Sequence, residues 1–599
     1  MAKKPKSPSK TTTTGARLPA EGALEPGQRA ASGYLRGLQN YGDPDFSVYL
    51  RRAFARSMGY SMDELKRPII GIANTYSRFN PCHRHFPELV DALKRGIAAA
   101  GGVAFEFPTI SVHESTLQPN SMKFRNLMSM DTEEMVRAQP MDSVVLMGGC
   151  DKTVPAQLMG AASAGKPAIQ LIGGPQMTGR FREHRVGACT DCRKFWVEYR
   201  AGRMSKPEIE EAEGTLITTA GTCAVMGTAS TMAAIAETLG MTLPGTAAIP
   251  AVHADRMRAA EATGTAAVRL AASSLTPDKI ITAKAIENAT RVLLALGGST
   301  NGVVHLAAIA GRLGMPFDLN RFNELSDTTP VLAAVKPVGN EFYMEDFYAA
   351  GGVGAVLREL KPLLHLDCMT VAGQTLGERL QDEDKIWVDR RVIKPASDPI
   401  EPEGGLVALF GSLAPDGAII KRSAATPALF EKTGRAVVFT GLDDMNNRVD
   451  DPDLDVTEDD FLVLQNVGPA SPAAMPEAGF LPIPKKLLQK GVKDMVRMSD
   501  ARMSGTAYGT IILHIAPEAH VGGPLAFVKT GDQIRLSVKE RRLDLLVDEK
   551  ELAKRRDAWA KEKRPMPERG YDRLFRENVL QATEGADFAF LVKNGGKTG

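Results

Sequence analysis

No apolar run among these 599 residues approaches the about 20 needed to cross a bilayer, so a membrane-spanning chain is not expected. Charge of one sign is missing too. Lys and Arg number 73 against 71 Asp and Glu, a net of +2, which makes no case for nucleic acid or an anionic membrane surface as partner. Cysteine is scarce, with six in the whole chain. That is too few for a disulfide scaffold and suits a reducing cytoplasm, where thiolates are free to hold metal. The basic residues near the N-terminus are followed by no apolar segment, so no secretory signal is expected. Internal repeats are absent. The glycine-rich stretch Gly221–Gly227 carries neither a Walker lysine nor a dinucleotide fingerprint.

What remains is an ordinary globular composition, 43% hydrophobic and 24% charged. A chain of this length is expected to form two or more domains. Residues 1–30, rich in Lys, Ser, Thr, Gly and Pro, read as a disordered tail. A first helix is expected over 47–58. Strands then alternate with helices: strands over 68–73, 103–112, 143–147 and 167–172, helices over 86–100, 132–139 and 156–164. This rhythm predicts a mainly parallel sheet with helices on both faces, within an α/β domain over 31–395. Further helices are expected over 229–239, 278–296 and 302–313. A Pro- and Gly-rich linker, 392–405, leads to short apolar runs at 406–410, 418–420, 436–440, 461–464 and 510–515. Ile534, Leu536 and Val538 answer Leu543, Leu545 and Val547 across a turn, which predicts a hairpin with one buried face. The C-terminal domain, 396–592, is therefore expected to be β-rich and barrel-like, with a charged helix near 551–561.

The most reactive stretch is Gly149-Cys-Asp-Lys152, between the apolar run Ser143–Met147 and a helix. Strand-to-helix turns are where open α/β sheets place their chemistry. Thiolate suits iron–sulfur or zinc, and carboxylate suits magnesium or manganese. Taken alone, the same residues also describe a buried cysteine followed by a surface ion pair. Two more cysteines sit in turns beside regular elements: Cys82 after Asn80-Pro81, and Cys223 in Gly221-Thr-Cys223.

Four segments occur in one order: Asn74-Thr75 with Pro81-Cys82; Gly149-Cys-Asp-Lys152; Gly221-Thr-Cys223 with Thr228-Ala-Ser-Thr-Met232; and Ser499-Asp-Ala-Arg-Met-Ser-Gly-Thr506. In these the chain resembles the IlvD/Edd family of dihydroxy-acid and sugar-acid dehydratases, over roughly residues 30–592. The resemblance implies Cys82, Cys150 and Cys223 as ligands of a [2Fe-2S] cluster, with [4Fe-4S] as the alternative. It implies Mg²⁺ held by Glu114, Asp151, Glu477 and a carbamylated Lys152. Carbamylation matters because a protonated lysine has no lone pair to offer a metal. Ser504 would be the base and Thr506 a substrate-binding hydroxyl, and the protein a homodimer or homotetramer. One departure stands out. The family has glycines before the Met-Pro-Glu motif, whereas here the loop reads Ala473-Ala-Met-Pro-Glu477.

The expected reaction is loss of water from a 2,3-dihydroxy acid. The Thr228–Met232 and Asp500–Thr506 segments look more like the sugar-acid branch, which takes arabinonate, xylonate and similar aldonates. The runner-up is the dihydroxy-acid dehydratase of branched-chain amino-acid synthesis. A remoter alternative is a non-catalytic iron–sulfur redox sensor built around Cys189-Thr-Asp-Cys192. That pair has no second Cys or His pair to complete a zinc site, and it is read here as a loop pair, not as ligands. Cys368 is read as packing and the nine histidines, His83 and His85 included, as structural. A Ser-His-Asp hydrolase at Ser504 lacks a Gly-x-Ser-x-Gly pattern, His514 lying outside the motif.

Overall fold

The computed structural model describes residue 34 and residues 41–382 and 387–593. The tail expected over 1–30 lies outside them. Two compact units are present, Met1–Lys66 and Arg67–Gly599. In the first, helix α1 (Pro44–Ser57) starts where Asp43 caps the backbone N–H groups of Asp45 and Phe46, with proline at the first helical position.

The second unit holds both sheets. The first has the order β2-β1-β3-β4, from β1 (Ile69–Asn74), β2 (Val103–Pro108), β3 (Ser143–Gly148) and β4 (Ala168–Ile172). All its pairings are parallel. β1, β3 and β4 are buried at every residue, as parallel strands covered on both faces must be. Helices α2 (Phe86–Ala99), α3 (Ser121–Ala138) and α4 (Thr153–Ala164) follow β1, β2 and β3. α3 begins well before the expected 132, because Asn120 caps it at Met122 N. The single helix expected over 278–296 is two. Pro277–Ile280 stops, and Thr282 caps a new helix, Ala283–Ala295.

The second sheet is mixed, with eight strands. β5 (Gly179–Phe181) and β6 (His184–Val186) form a separate small hairpin. β7 (Val407–Leu409), β8 (Gly417–Ile420), β9 (Glu431–Phe439), β10 (Phe461–Leu464), β11 (Arg497–Ser499), β12 (Ile511–Ala516), β13 (Gln533–Ser537) and β14 (Arg542–Leu545) run in the order β14-β13-β9-β10-β11-β12-β8-β7. Its two edges meet just past β7. Phe410 N donates to Arg541 O and Leu543 N to Phe410 O, both at 2.8 Å, and closes the sheet nearly into a barrel. Side chains alternate as the pleat requires. Ala436, Val438, Phe461 and Val463 join the core with Ile512, Ile534, Leu536 and Leu543. Their neighbours Val437, Phe439, Leu462 and Leu464 pack in a second cluster on the opposite face. β11 was missed in the sequence because only three residues, Arg-Met-Ser, form it.

Candidate active site

Cys82 lies in a short helical turn, Pro81–His83, after β1, and Cys150 in the turn joining β3 to α4. One buried histidine locks both turns. His83 Nδ1 lies 2.9 Å from Thr75 O and Nε2 accepts from Cys150 N at 3.0 Å. Burial drives the His83 pKa down to about 3, so the ring is neutral and fits this one-donor, one-acceptor role. Thr75 Oγ1 in turn donates to Met147 O at 2.7 Å. The Thr75 of the first motif and the histidine beside Cys82 thus build the turn that presents Cys150.

The Cys82 and Cys150 sulfurs and a ring nitrogen of His113 lie within 4.8 Å of one another. A hydrogen bond from Cys150, outweighing burial and helped by His113, brings the Cys82 thiol down to about 6. Cys150, as the donor, is pushed up. Cys223 lies 3.4 Å, sulfur to sulfur, from Cys189. It is close enough to Cys82 and Asp151 to feel their charge. The structure thus groups Cys82 and Cys150 with His113, and sets Cys223 against Cys189. Thiols in this number, two of them already within bonding range of a common metal, fit an iron–sulfur cluster.

Next to them Lys152 is wholly buried, and its Nζ has no hydrogen-bond partner among the described residues. Burial, then Arg502, lowers its pKa, against the pull of Asp151, Glu114 and Glu477. The four expected magnesium residues are therefore electrostatic neighbours. Arg502, 1% exposed, clamps two of them. Its Nη2 donates to Glu114 Oε1 at 2.6 Å and its Nη1 to Glu477 Oε1 at 2.7 Å. Ser121 also donates to Glu114. Burial works against the Glu114 carboxylate, but Arg502 and Lys152 outweigh it and hold its pKa at about 2. Burial and the Glu114 charge instead raise Glu477 to about 7. Three carboxylates around an amine whose pKa burial lowers fit a hard cation.

The loop before Glu477 keeps a glycine-like backbone without glycine. Ala474 and Met475 have φ of 52° and 59°. Such conformations cost L-residues about 1–2 kcal/mol each. Asn120 offsets this by donating to the carbonyls of Ala473 and Ala474 at 2.6 and 3.0 Å.

Ser504 lies on the loop between β11 and β12. Its Oγ is 2.8 Å from Thr506 Oγ1, so its partner there is a hydroxyl, not a histidine. His514 is buried, its ring nitrogens are unpartnered, and burial pushes its pKa to about 3. The turn is pinned by residues of other elements. Asn301 Nδ2 donates to Met503 O at 3.0 Å and to Thr228 Oγ1 at 2.9 Å, and Thr190 Oγ1 donates to Thr506 O at 2.9 Å. Lys421, at the end of β8, donates to Gly505 O at 3.2 Å. A side chain on Gly505 would run into Ser299, which fixes glycine there.

Sequence reasoning passed over His113, Arg502 as a clamp, Asn301, Lys421 and the approach of Cys189 to Cys223. Only Arg502 carried a signal, its place inside the Ser499–Thr506 motif.

The family model described as dihydroxy-acid/6-phosphogluconate dehydratase N-terminal matches residues 67–379, and its C-terminal counterpart matches residues 391–586. An L-arabinonate dehydratase of Rhizobium leguminosarum bv. trifolii (strain WSM2304) is 45% identical over 93% of this chain and 96% of its own. An L-arabonate dehydratase of Azospirillum brasilense is 45% identical over 93% and 97%. A 6-deoxy-6-sulfo-D-gluconate dehydratase of Pseudomonas putida is 41% identical over 93% and 96%.

Proposed function

Because the chain belongs to the dihydroxy-acid/6-phosphogluconate dehydratase family of hydro-lyases, we propose that it dehydrates a 2,3-dihydroxy sugar acid. The substrate would be an aldonate such as arabinonate or xylonate, and the product a 2-keto-3-deoxy acid. The observation that carries this reading is the buried Lys152 amine, without a hydrogen-bond partner among the described residues, with the charges of Asp151, Glu114 and Glu477 acting on it.

Cys82, Cys150 and Cys223 would hold an iron–sulfur cluster, and Glu114, Asp151, Glu477 and carbamylated Lys152 would hold Mg²⁺; each would supply Lewis acidity, the first toward the 3-hydroxyl and the second toward the carboxylate end. Lys152 is suited to carbamylation because burial favours its neutral amine, the form that adds to CO₂. Ser504 removes the C2 proton. Thr506 Oγ1, at 2.8 Å, donates to the oxyanion that Ser504 must become. Arg502 keeps Glu114 and Glu477 oriented while leaving lone pairs on their oxygens. The enol left after loss of water tautomerises to the keto acid, so carbon undergoes no net redox change.

A polyhydroxylated tail suits the surroundings better than a methyl-bearing one. Thr300 Oγ1 and Asn301 Oδ1 are buried beside the Ser504 turn without partners among the described residues. Leaving such groups facing an apolar tail costs about 1–3 kcal/mol each. The relatives named for sugar acids point the same way. A reducing cytoplasm and a homodimer or homotetramer complete the proposal.

The test is a substrate screen of anaerobically purified protein over five- and six-carbon aldonates and 2,3-dihydroxy-isovalerate. Aldonate dehydration that stops on chelation of Mg²⁺ is expected. Turnover of dihydroxy-isovalerate alone would transfer the protein to the branched-chain reaction. No turnover of any acid would favour the redox-sensor reading.

A further inference from the structure

One cavity has no part in that function as stated, yet it borders Glu477. It encloses about 480 Å³ between the helix Thr190–Arg200 and the segment that follows Glu477. Four cations, Arg193, Arg200, Lys493 and Arg497, line it beside apolar groups such as Trp196 and Ile483, with no carboxylate among the described residues. Arg200 is paired with Asp450 at 2.5 Å and Arg497 with Asp494 at 2.9 Å. Arg193 is not committed in this way. Its one ion pair among the described residues is long, with Nη2 3.9 Å from Glu477 Oε2. Its Nε is buried and has no partner among them. Glu477 and Glu114 already take their close hydrogen bonds from Arg502, at 2.7 and 2.6 Å. Arg193 therefore stands between the cavity and the carboxylates with a donor to give.

Its place is fixed from two sides. The Arg193 guanidinium lies 4.7 Å from the centre of the Phe480 ring, and that of Arg497 lies 5.0 Å from it. Arg497 also donates to Phe480 O at 2.9 Å and to Leu481 O at 3.0 Å, which holds the ring as a platform. At the start of the same helix, Thr190 ties it to the Ser504 turn through Thr506 O. An acid arriving here meets the charges of Glu114, Asp151 and Glu477, which repel its own. A cavity lined by cations offsets that repulsion along the approach. Resting on the dehydratase reading above, we propose that Arg193 is a substrate-binding residue: its guanidinium receives the carboxylate of the acid, and the cavity is the path by which the acid arrives. Guanidinium and carboxylate suit each other in charge and shape, since two N–H groups can meet two oxygens. Arg193 then selects acids over neutral polyols. The carboxylate is common to aldonates and 2,3-dihydroxy-isovalerate, so this role does not depend on which acid is used.

The experiment measures binding as well as turnover in wild type, Arg193→Gln and Arg193→Lys. Calorimetry uses two ligands, a 3-deoxyaldonate, which keeps the carboxylate but lacks the leaving hydroxyl, and its neutral amide. Arg193→Gln should bind the acid roughly 10–100-fold more weakly than wild type and the amide about as well. In turnover, KM for an aldonate should rise by a similar factor with kcat and iron content little changed. Arg193→Lys, which keeps the charge without the fork, should recover part of the loss. The fall of kcat/KM with ionic strength should flatten in Arg193→Gln. Equal weakening of acid and amide would overturn the proposal, because Arg193 would then only brace Phe480. So would an unchanged KM in Arg193→Gln beside active wild type, an outcome that leaves the dehydratase reading standing. Wild type that neither binds nor dehydrates any 2,3-dihydroxy acid would end both readings.

Discussion

The residues after β1 and β3 and the turn after β11 differ in what holds them in place. Cys82 and Cys150 follow strands buried at every residue, and one neutral histidine bridges their two turns. Their positions are set by the sheet itself. Ser504 sits in a loop of the barrel, and its turn is held largely by Asn301, Thr190 and Lys421, which come from other elements. The difference teaches that the half proposed to hold metal is shaped by local geometry, while the proposed base is placed by packing against other elements. A site assembled in this way would bring the proposed base and Lewis acids to bear on one small acid.

The sharpest break of the comparison is at the strand-end half. Cys82→Ser, Cys150→Ser and Cys223→Ser should each purify colourless, with iron lost, because a hydroxyl replaces a soft thiolate poorly. Normal iron in any of them removes that residue from the ligand set. Next in size, Lys152→Ala should lose activity entirely with the cluster spectrum unchanged. Intact mass of the wild type under CO₂ should show one added carbamate on Lys152. A fully active, unmodified Lys152 would contradict the hard-cation site.

The turn half should yield more gradually. Lys421→Met removes the donor to Gly505 O and should lower kcat roughly five-fold, about 1 kcal/mol for one hydrogen bond, with KM and iron content little changed. Unaltered kcat would mean that Asn301 and Thr190 hold the turn without it. The smallest effect concerns stability, through a carboxyl behind the turn. Burial, then the charge of Asp500, raises the Glu518 pKa from 4.5 to about 8. The folded state therefore holds a proton that the unfolded state has lost between those values, and stability falls as pH rises through that window. Glu518→Gln, which can still accept from Ala470 N as Glu518 does at 2.7 Å, should flatten the fall in Tm across it. Parallel Tm profiles for the two proteins would assign the proton elsewhere.

Much of this architecture was legible in the sequence. Parallel strands such as Ile69–Asn74 read as apolar runs because both their faces are covered, and the Ile534/Leu543 hairpin read as alternation because one face is core. The short β11 offered too few residues for either pattern. At the site, motif residues named the donors but not their partners. Arg502 clamps Glu114 from far along the chain, and no local spacing encodes that meeting. Cys189 looked like half of a local pair with Cys192, since its approach to Cys223 exists only once Ala188 and Ala224 are joined. The Ala473–Glu477 loop departs from the glycine-bearing pattern in sequence while adopting a glycine-like backbone, because Asn120 supports it from another element.

Hydrogen exchange at substrate C2 tests most directly whether the barrel turn and the strand-end donors act on one substrate. Wild type and Ser504→Ala, both with intact cluster spectra and bound Mg²⁺, would be incubated with an aldonate in deuterated water and followed by NMR. The wild type should release the C2 hydrogen to solvent as it dehydrates the acid. Ser504→Ala should bind the acid, retain its C2 hydrogen and turn over about 10²–10⁴-fold more slowly, as expected for loss of a general base. Undiminished exchange or near-wild-type turnover in Ser504→Ala would contradict the assignment of the base to the barrel turn.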